Sequence, residues 1–341
     1  MGKKKAALLI NLGTPDSTSV DDVRRYLSEF LMDKYVIDIP YPLRYFLVNF
    51  IIVPKRAANS AEAYRKIWTE KGSPLLTISR ELTEEVQKNV SIPVELAMRY
   101  QKPSIKSAIE KLISMNVEQL LVIPLFPQYA MSTYKSAAMA VQEVVKRGGY
   151  KIEVNFQPPF YNEPDYISAL VEVAKPFLSK PSDYIIFSYH GLPERHIRKT
   201  DPTHSHCLKV PNCCNTPSPA RDYCYRYQCL ETTRLVAEQL NLSKDKYTVS
   251  FQSRLGVDRW LSPSTVDTLK NLAKNGIKKV FVLCPSFVAD CIETLEEIAI
   301  RDREVFIESG GKELKLIPCL NTNPLWIQTI SRWIKKFSNE G

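Results

Sequence analysis

Short apolar runs alternate along the chain with stretches in which apolar residues recur at helical spacing. AALLINL (residues 6–12) precedes an amphipathic helix over 20–30, VELAMRY (94–100) one over 104–114, and QLLVIPLF (119–126) one over 133–146. The second half repeats the rhythm with YIIFSYH (184–190), YTVSFQS (247–253) and KVFVLCP (279–285). Nearly continuous apolar strands separated by helices are the pattern of a parallel sheet covered on both faces. The expected fold is therefore α/β: two similar lobes, each a parallel β-sheet flanked by helices in Rossmann-like fashion.

The segment 103–124 can be laid over 263–285 with a one-residue adjustment, each reading as loop, helix, Asn-containing turn, buried strand and proline. Any two βαβ units share much of this pattern, so the match suggests duplication without proving it. It places equivalent loops at the same edge of their sheets, where open α/β folds bind ligands, and points to a cleft between the lobes. The expected division is 1–155 plus 320–341, with a final helix over 324–337 packing back, against 156–319, which carries an insert over 204–229.

No run of roughly eighteen apolar residues occurs, so no spanning helix is expected. The N-terminal apolar run is short and breaks at Asn11, Gly13 and Pro15, as a first strand does and a secretory leader does not. The most apolar stretch, YPLRYFLVNFIIV (41–53), is interrupted by Arg44 and Asn49 and followed by Lys55 and Arg56. It reads either as a core helix or as an apolar lip that meets a membrane surface or a ligand entrance. The formal net charge is +9. Without a nucleic-acid-binding motif or a long basic run, that excess is read as solubilising charge or attraction to carboxylates, not as a nucleic-acid surface. The expected location is the cytoplasm, with peripheral contact on the inner face of a membrane.

Two stretches carry candidate chemistry. His190, one of four histidines, ends the buried run YIIFSYH and precedes Gly191-Leu192-Pro193, a place from which an imidazole can exchange protons near neutral pH. A histidine merely bonded into its loop is the plainer alternative. DCIETLEE (290–297) begins a helix after a strand. At helical spacing Asp290, Glu293 and Glu297 share a face that Arg301 continues with the opposite sign. Such stripes are usually solvated, but this one starts where a ligand cleft is expected. It can hold a divalent ion weakly or pass protons outward.

Together SYHGLP, DCIETLEEI, NLGTP, LAMRY, PLFPQYAMST, FQSRLG followed by Trp260, and NTNPLW resemble, in order and over nearly the whole chain, the ferrochelatase family. The resemblance implies a chelatase-type fold and a lyase that inserts ferrous iron, its substrate, into protoporphyrin IX, releasing two protons and forming protohaem. It implies His190 and Glu293 as the catalytic pair, with Glu297 and Asp290 continuing a metal and proton path. It also implies Arg99, Tyr100, Tyr129, Ser253 and Trp260 as porphyrin-pocket residues, and Lys55 and Arg56 beside the propionate-side entrance. Cys291 and Glu296 depart from some relatives, which carry histidine and tyrosine there. The rival readings are a non-catalytic porphyrin or haem carrier, and a chelatase of coproporphyrin III or another tetrapyrrole.

Five of eight cysteines and two histidines fall between 204 and 229, a density that suggests metal binding in an intracellular-type chain. The spacing matches neither a paired C-x2-C zinc ribbon nor a plant-type ferredoxin. A bacterial subgroup of ferrochelatases carries a [2Fe-2S] cluster in an internal segment just after the histidine loop, and resemblance to it implies Cys207, Cys224 and Cys229 as ligands. The fourth is Cys214, slightly preferred to Cys213. Zinc is the alternative. Cys284 and Cys319 read as core thiols, and Cys291 as a neighbour of the active site.

Overall fold

The computed structural model describes residues 2–178, 184–254 and 258–339. Leu255 and Gly256 of the FQSRLG run lie outside them. The first sheet comprises β1 (Lys5–Gly13), β2 (Val94–Tyr100), β3 (Gln119–Pro124) and β4 (Glu153–Phe156). The second comprises β5 (Tyr184–His190), β6 (Tyr247–Gln252), β7 (Lys279–Leu283) and β8 (Glu313–Leu316). All pairings are parallel, in the orders β2-β1-β3-β4 and β6-β5-β7-β8, so the two sheets share one plan.

The chain parts into two compact units: up to Phe126, Met131–Pro159 and from Trp326 onward in one, Pro127–Ala130 and Phe160–Leu325 in the other. The changeovers at 159/160 and 325/326 lie a few residues beyond the 155/156 and 319/320 expected from the strand and helix pattern. Residues 127–130 join the second unit because Gln128 donates to Thr232 Oγ1 (3.2 Å) and the Tyr129 amide donates to Gln228 Oε1 (2.6 Å). In the first unit the helix Pro324–Ser338 is tied to β1 by Lys5, which donates to the Phe337 carbonyl at 2.8 Å.

Each core follows from the apolar runs. In the first, Ala6, Leu8 and Ile10 of β1 and Leu120 and Val122 of β3 pack against Ile105, Ile109 and Leu112 of the helix Ile105–Ser114 and Val141 of Ser136–Gly148. In the second, Ile186, Val280 and Val282 pack against Leu269 and Ala273 of Thr265–Lys274 and Ile298 and Phe306 beyond β7. Burial of such side chains contributes about 1.5–3 kcal/mol each.

The repeat read from sequence recurs at the backbone. After β2 and after β6 comes one residue with positive φ, Gln101 (64°) and Ser253 (61°), and later a cis proline, Pro103 and Pro263. The carbonyls of those prolines accept from the amides of Met98 (2.6 Å) and Phe251 (2.9 Å). Ser104 and Ser264 then cap the following helices, each side chain accepting the amide three residues on at 3.0 Å.

The edge strands β4 and β8 are short and polar on one side, and the sequence pattern alone does not separate them from loop. It also misses that Leu47–Ile52, Met131–Lys135 and Glu293–Asp302 are wound as π-helix, because side-chain periodicity scarcely distinguishes π from α over one or two turns.

β1 ends at Gly13, whose φ of +113° is open to glycine, and where a Cβ would stand 2.1 Å from the Tyr100 carbonyl oxygen. Gly13→Ala is expected to destabilise the protein by about 3 kcal/mol, through strain and a backbone clash, read as a lower urea midpoint with an unchanged m-value.

Candidate active site

β5 delivers His190 to the carboxyl edge of the second sheet, in register with Gln252, the last residue of β6. The chain can turn there because Gly191 has no side chain: a Cβ would meet the Gln252 carbonyl at 2.7 Å and the Trp260 ring at 3.3 Å. The Gly191 amide donates to that carbonyl at 2.7 Å. The His190 ring is fixed by its own turn, with Nδ1 2.6 Å from the Gly191 carbonyl oxygen. A carbonyl only accepts, so Nδ1 carries the proton and Nε2 keeps its lone pair. Tyr225 Oη donates to the His190 carbonyl (3.0 Å) and pairs with Ser286 Oγ (2.8 Å), and Phe287 stands 6.5 Å from the imidazole between ring centroids.

Glu293 opens the π-helix that follows β7, and its main chain is held by Gln252, whose Nε2 donates to the Glu293 carbonyl at 2.9 Å. Burial pushes the Glu293 carboxyl above the usual carboxylate range and nearby Glu297 adds to this, while the Cys291 thiol and the attraction of His190 oppose it. A proton acceptor and a carboxyl raised by burial are thus electrostatic neighbours. Cys291 is buried with its thiol driven well up, first by burial and then by Glu293, so it acts as a neutral donor to that carboxylate.

Glu297 is bound on both oxygens. Oε1 accepts the Ser253 amide (3.0 Å) and faces Arg301 Nη2 (2.9 Å), and Oε2 takes the Ser253 hydroxyl. Ser253 can do this with amide and hydroxyl together because its left-handed backbone turns both toward the π-helix.

Asp290 sits differently from the stripe drawn by helical spacing. It is buried, with Oδ2 accepting from Asn321 Nδ2 (2.7 Å) and Oδ1 from Thr294 Oγ1 (3.0 Å) and the Cys319 amide (3.4 Å). Asn321 Oδ1 in turn accepts the Asp290 amide at 2.9 Å. The carboxylate is spent on anchoring the start of the π-helix, so the face formed by Glu293 and Glu297 does not continue back through it.

The remaining sequence-derived positions divide between the two units. In the second, Trp260 bridges to Pro193 beside Gly191, and the Tyr129 ring meets Tyr223 edge-on at 5.4 Å. In the first, Arg99 reaches Asp33 Oδ2 (2.6 Å) and Ser136 Oγ (2.7 Å) and remains partly exposed. Tyr100 is 0% exposed, its hydroxyl donated to Asp33 at 2.9 Å. That corrects its expected place in a pocket wall: it offers a ligand no surface and serves to orient Asp33 and Arg99. Lys55 and Arg56 are exposed on the helix Val53–Ile67. Just before them Tyr41, Leu43, Phe46 and Phe50 are 58–63% exposed, whereas Val48 and Val53 are buried. The apolar segment is thus both of the things its sequence allowed, a lip outward and core inward.

Sequence reasoning passed over Gln252 entirely. The signal was present, since a glutamine closing an otherwise buried strand has to bond something inside the fold.

The cysteine insert starts at Asp201. Burial pushes its carboxyl up, but the amides of Cys207, His206 and Thr203 and the Thr203 hydroxyl outweigh that and hold it below the usual range, fixing the loop around one carboxylate. The Cys224 thiol, at the head of the helix Tyr225–Gln239, hydrogen-bonds with Cys207, which pushes it up to about 12, and with Cys214. Cys229, fully buried on the same helix, lies within electrostatic reach of Cys224 and Cys214. Cys213 accepts from the Leu208 amide (3.4 Å) and Arg226 (4.0 Å) through its sulfur and also hydrogen-bonds with Cys214. His206 is engaged by the Cys213 carbonyl at 2.8 Å. Among the described residues, no three His, Cys, Asp or Glu side chains converge as a site for a single metal ion.

A family model described as Ferrochelatase matches residues 4–337. The ferrochelatase of Ectopseudomonas mendocina is 50% identical over 327 residues, 95% of this chain and 96% of its own length. That of Opitutus terrae is 48% identical over 334 residues, 97% of each. Among solved structures, SirB from Bacillus subtilis with Fe3+ aligns over 98% of this chain and 95% of its own with a TM-score of 0.57 at 12% identity, a likeness of fold. With a family match over nearly its full length and relatives of equal length about half identical to it, the chain belongs to the ferrochelatase family.

Proposed function

We propose that the protein inserts ferrous iron into protoporphyrin IX, releasing two protons and forming protohaem. The observation that carries this reading is the His190–Glu293 pair, with Nε2 left as an acceptor by the Nδ1–H bond to Gly191 and with a carboxyl that burial raises above the usual carboxylate range. A free-base macrocycle must surrender its two pyrrolic protons before a metal ion can take four nitrogens. His190 Nε2 accepts a pyrrolic proton, Glu293 stabilises the imidazolium so formed, and Glu297 continues the route along the π-helix. Asp290 supports this line from behind through Thr294, with Asn321 holding its other oxygen. Trp260 and Tyr129 supply aromatic surface suited to a macrocycle face.

The basic pair Lys55 and Arg56 beside an exposed apolar lip favours a porphyrin with two carboxylates over one with four. The same surface suits peripheral contact with the inner face of a membrane: aromatic side chains for the lipid boundary and cations for anionic headgroups. No helix among the described residues is long and apolar enough to cross one.

The insert is read as holding a [2Fe-2S] cluster on Cys207, Cys214, Cys224 and Cys229, with Cys213 as the alternative to Cys214: Cys224 interacts with Cys207 and Cys214, and Cys229 lies within electrostatic reach of both Cys224 and Cys214. Such a cluster supplies structural or sensory chemistry, since insertion of ferrous iron involves no net electron transfer.

Anaerobic incubation with ferrous iron and protoporphyrin IX, followed through the porphyrin absorption bands, is expected to show turnover that falls on the order of 10²–10⁴-fold in His190→Ala and Glu293→Gln. Porphyrin binding without metallation in the unaltered protein would select the carrier reading. Replacing both Lys55 and Arg56 by Ala is expected to raise KM for the dicarboxylate porphyrin and weaken retention on anionic vesicles; unchanged values for both remove that assignment. In protein purified without oxygen, Cys→Ser at 207, 214, 224 or 229 is expected to abolish the visible cluster bands and Cys213→Ser to keep them, with bound zinc as the contrary result.

A further inference from the structure

His190 is carried on a peptide unit that the fold has to hold still. Glycine is required just beyond it, since a Cβ on Gly191 would meet the Gln252 carbonyl oxygen at 2.7 Å and the Trp260 ring at 3.3 Å. The same glycine takes away the side chain that would narrow the backbone's choice of angles, so the turn needs tethers from outside. A peptide unit is planar, and its orientation is set once both its N–H and its C=O are bonded to fixed neighbours. Between His190 and Gly191 the N–H is accepted by the Gln252 carbonyl at 2.7 Å. The C=O accepts the Tyr225 hydroxyl at 3.0 Å. The bond that orients the imidazole, Nδ1 to the Gly191 carbonyl at 2.6 Å, lies one peptide further on and follows that plane.

Tyr225 is itself well held. It is 5% exposed and opens the helix Tyr225–Gln239, whose first turn is tied by the Cys224 sulfur accepting the Tyr227 amide at 3.5 Å. A phenol has one proton and a carbonyl only accepts, so that proton is committed to His190. Ser286 Oγ, 2.8 Å away, then donates to the phenol oxygen, which the Cys229 sulfur adjoins from the next turn of the helix. Ser286 precedes Phe287, the ring that faces the imidazole. The hydroxyl therefore gathers the end of β5, the loop after β7 and the helix of the cysteine insert at one point. Tyr189 gives the contrast. It is 0% exposed and directly precedes His190, yet its hydroxyl pairs with Thr233 on the same helix at 2.8 Å and ties that helix to β5 away from the His190–Gly191 peptide.

We propose that Tyr225 is a positioning residue for the proton acceptor: its hydroxyl locks the His190–Gly191 peptide plane, and through the Gly191 carbonyl it keeps the proton on Nδ1 and leaves Nε2 to accept. The proposal rests on the role given to His190 in the preceding section and adds a residue that acts only through His190.

The test compares the full-length protein with Tyr225→Phe, which removes the hydroxyl and keeps the ring, and with Tyr189→Phe, a matched loss of a buried hydroxyl. Anaerobic metallation of protoporphyrin IX by ferrous iron and thermal unfolding are measured on each. Nitrogen-15 spectra of the histidine side chains are recorded at about pH 8.5, where an imidazole is ordinarily neutral, with His190 assigned by its loss in His190→Ala. Tyr225→Phe is expected to lower kcat about tenfold or more with KM for both substrates unchanged, and to turn His190 from the Nδ1–H tautomer into a mixture with Nε2–H. Tyr189→Phe is expected to lose a similar amount of thermal stability while keeping kcat and the tautomer. An undiminished kcat in Tyr225→Phe, an equal loss of rate in the two variants, or a His190 spectrum unchanged by Tyr225→Phe each overturns the positioning role. An Nε2–H tautomer in the unaltered protein overturns it without any variant. An unaltered protein that does not metallate fails the function proposed above, and the tautomer of His190 with and without the Tyr225 hydroxyl then decides the positioning role by itself.

Discussion

The geometry of the second unit's active edge depends on the side chain of Gln252. It ends β6 almost fully buried, and it joins three strand ends and a helix that the chain delivers from far apart in sequence. Its Oε1 accepts from Ser188 Oγ of β5 at 2.8 Å and from the Cys284 thiol after β7 at 3.8 Å, its Nε2 donates to the Glu293 carbonyl, and its own carbonyl takes the Gly191 amide. An amide is suited to this because it offers donor and acceptor at one end without a charge, where a carboxylate would repel the Glu293 carbonyl and a lysine would lack an acceptor. The spacing between His190 and Glu293 is therefore set by a neutral group fully engaged inside the fold. Ser188 and Ser250, both bonded to Thr265, extend that polar seam beneath it.

The equivalent corner of the first unit uses the same backbone plan for another purpose. Tyr100 ends β2 as Gln252 ends β6, and it too is followed by a residue with positive φ and then by a capped helix. Its partner is Asp33, which gathers Arg99, Tyr100, the Ser136 hydroxyl and the Tyr35 amide around one carboxylate. Three donors besides the guanidinium make this ion pair a fixed strut and not a surface contact, since the charge is met by oriented hydrogen bonds. The loop it holds leads into the apolar lip, where Arg44 secures the other end through the carbonyls of Ile37 (3.2 Å) and Ile39 (2.9 Å).

The strands and their alternation with helices were legible in the sequence because β1, β3, β5 and β7 are central and largely buried and appear as apolar runs, while the edge strands β2 and β6 are long enough to keep an apolar majority or alternation. The edge strands β4 and β8 were not, since each has four residues that alternate polar and apolar and few are fully buried. Of the candidate site residues, His190 was legible from its position at the end of a buried run, and Glu293 from the helical spacing of its acidic stretch and from the motif around it. Asp290 and Tyr100 show where such reasoning stops. A residue type within a motif says that its surroundings are demanding, and the demand can be structural: Asp290 answers to Asn321 and Tyr100 to Asp33. Which cysteines pair was equally hidden, because the insert has little regular structure and its shape comes from Asp201 collecting backbone amides, a contact that no spacing encodes.

The winding of one helix then decides what its carboxylates can do. Within the π-helix Arg301 stays 2.9 Å from Glu297, an ion pair that is partly exposed on the arginine side and by itself worth little. Departures of this kind are retained in helices where function needs them, because they give up hydrogen-bond geometry and packing that an α-helix would keep. Here the departure starts at Glu293, the residue Gln252 holds in place, and carries Glu297 as well. The irregular segment therefore begins at the carboxyl that the proposed proton route needs beside His190, which joins the unusual backbone to that route.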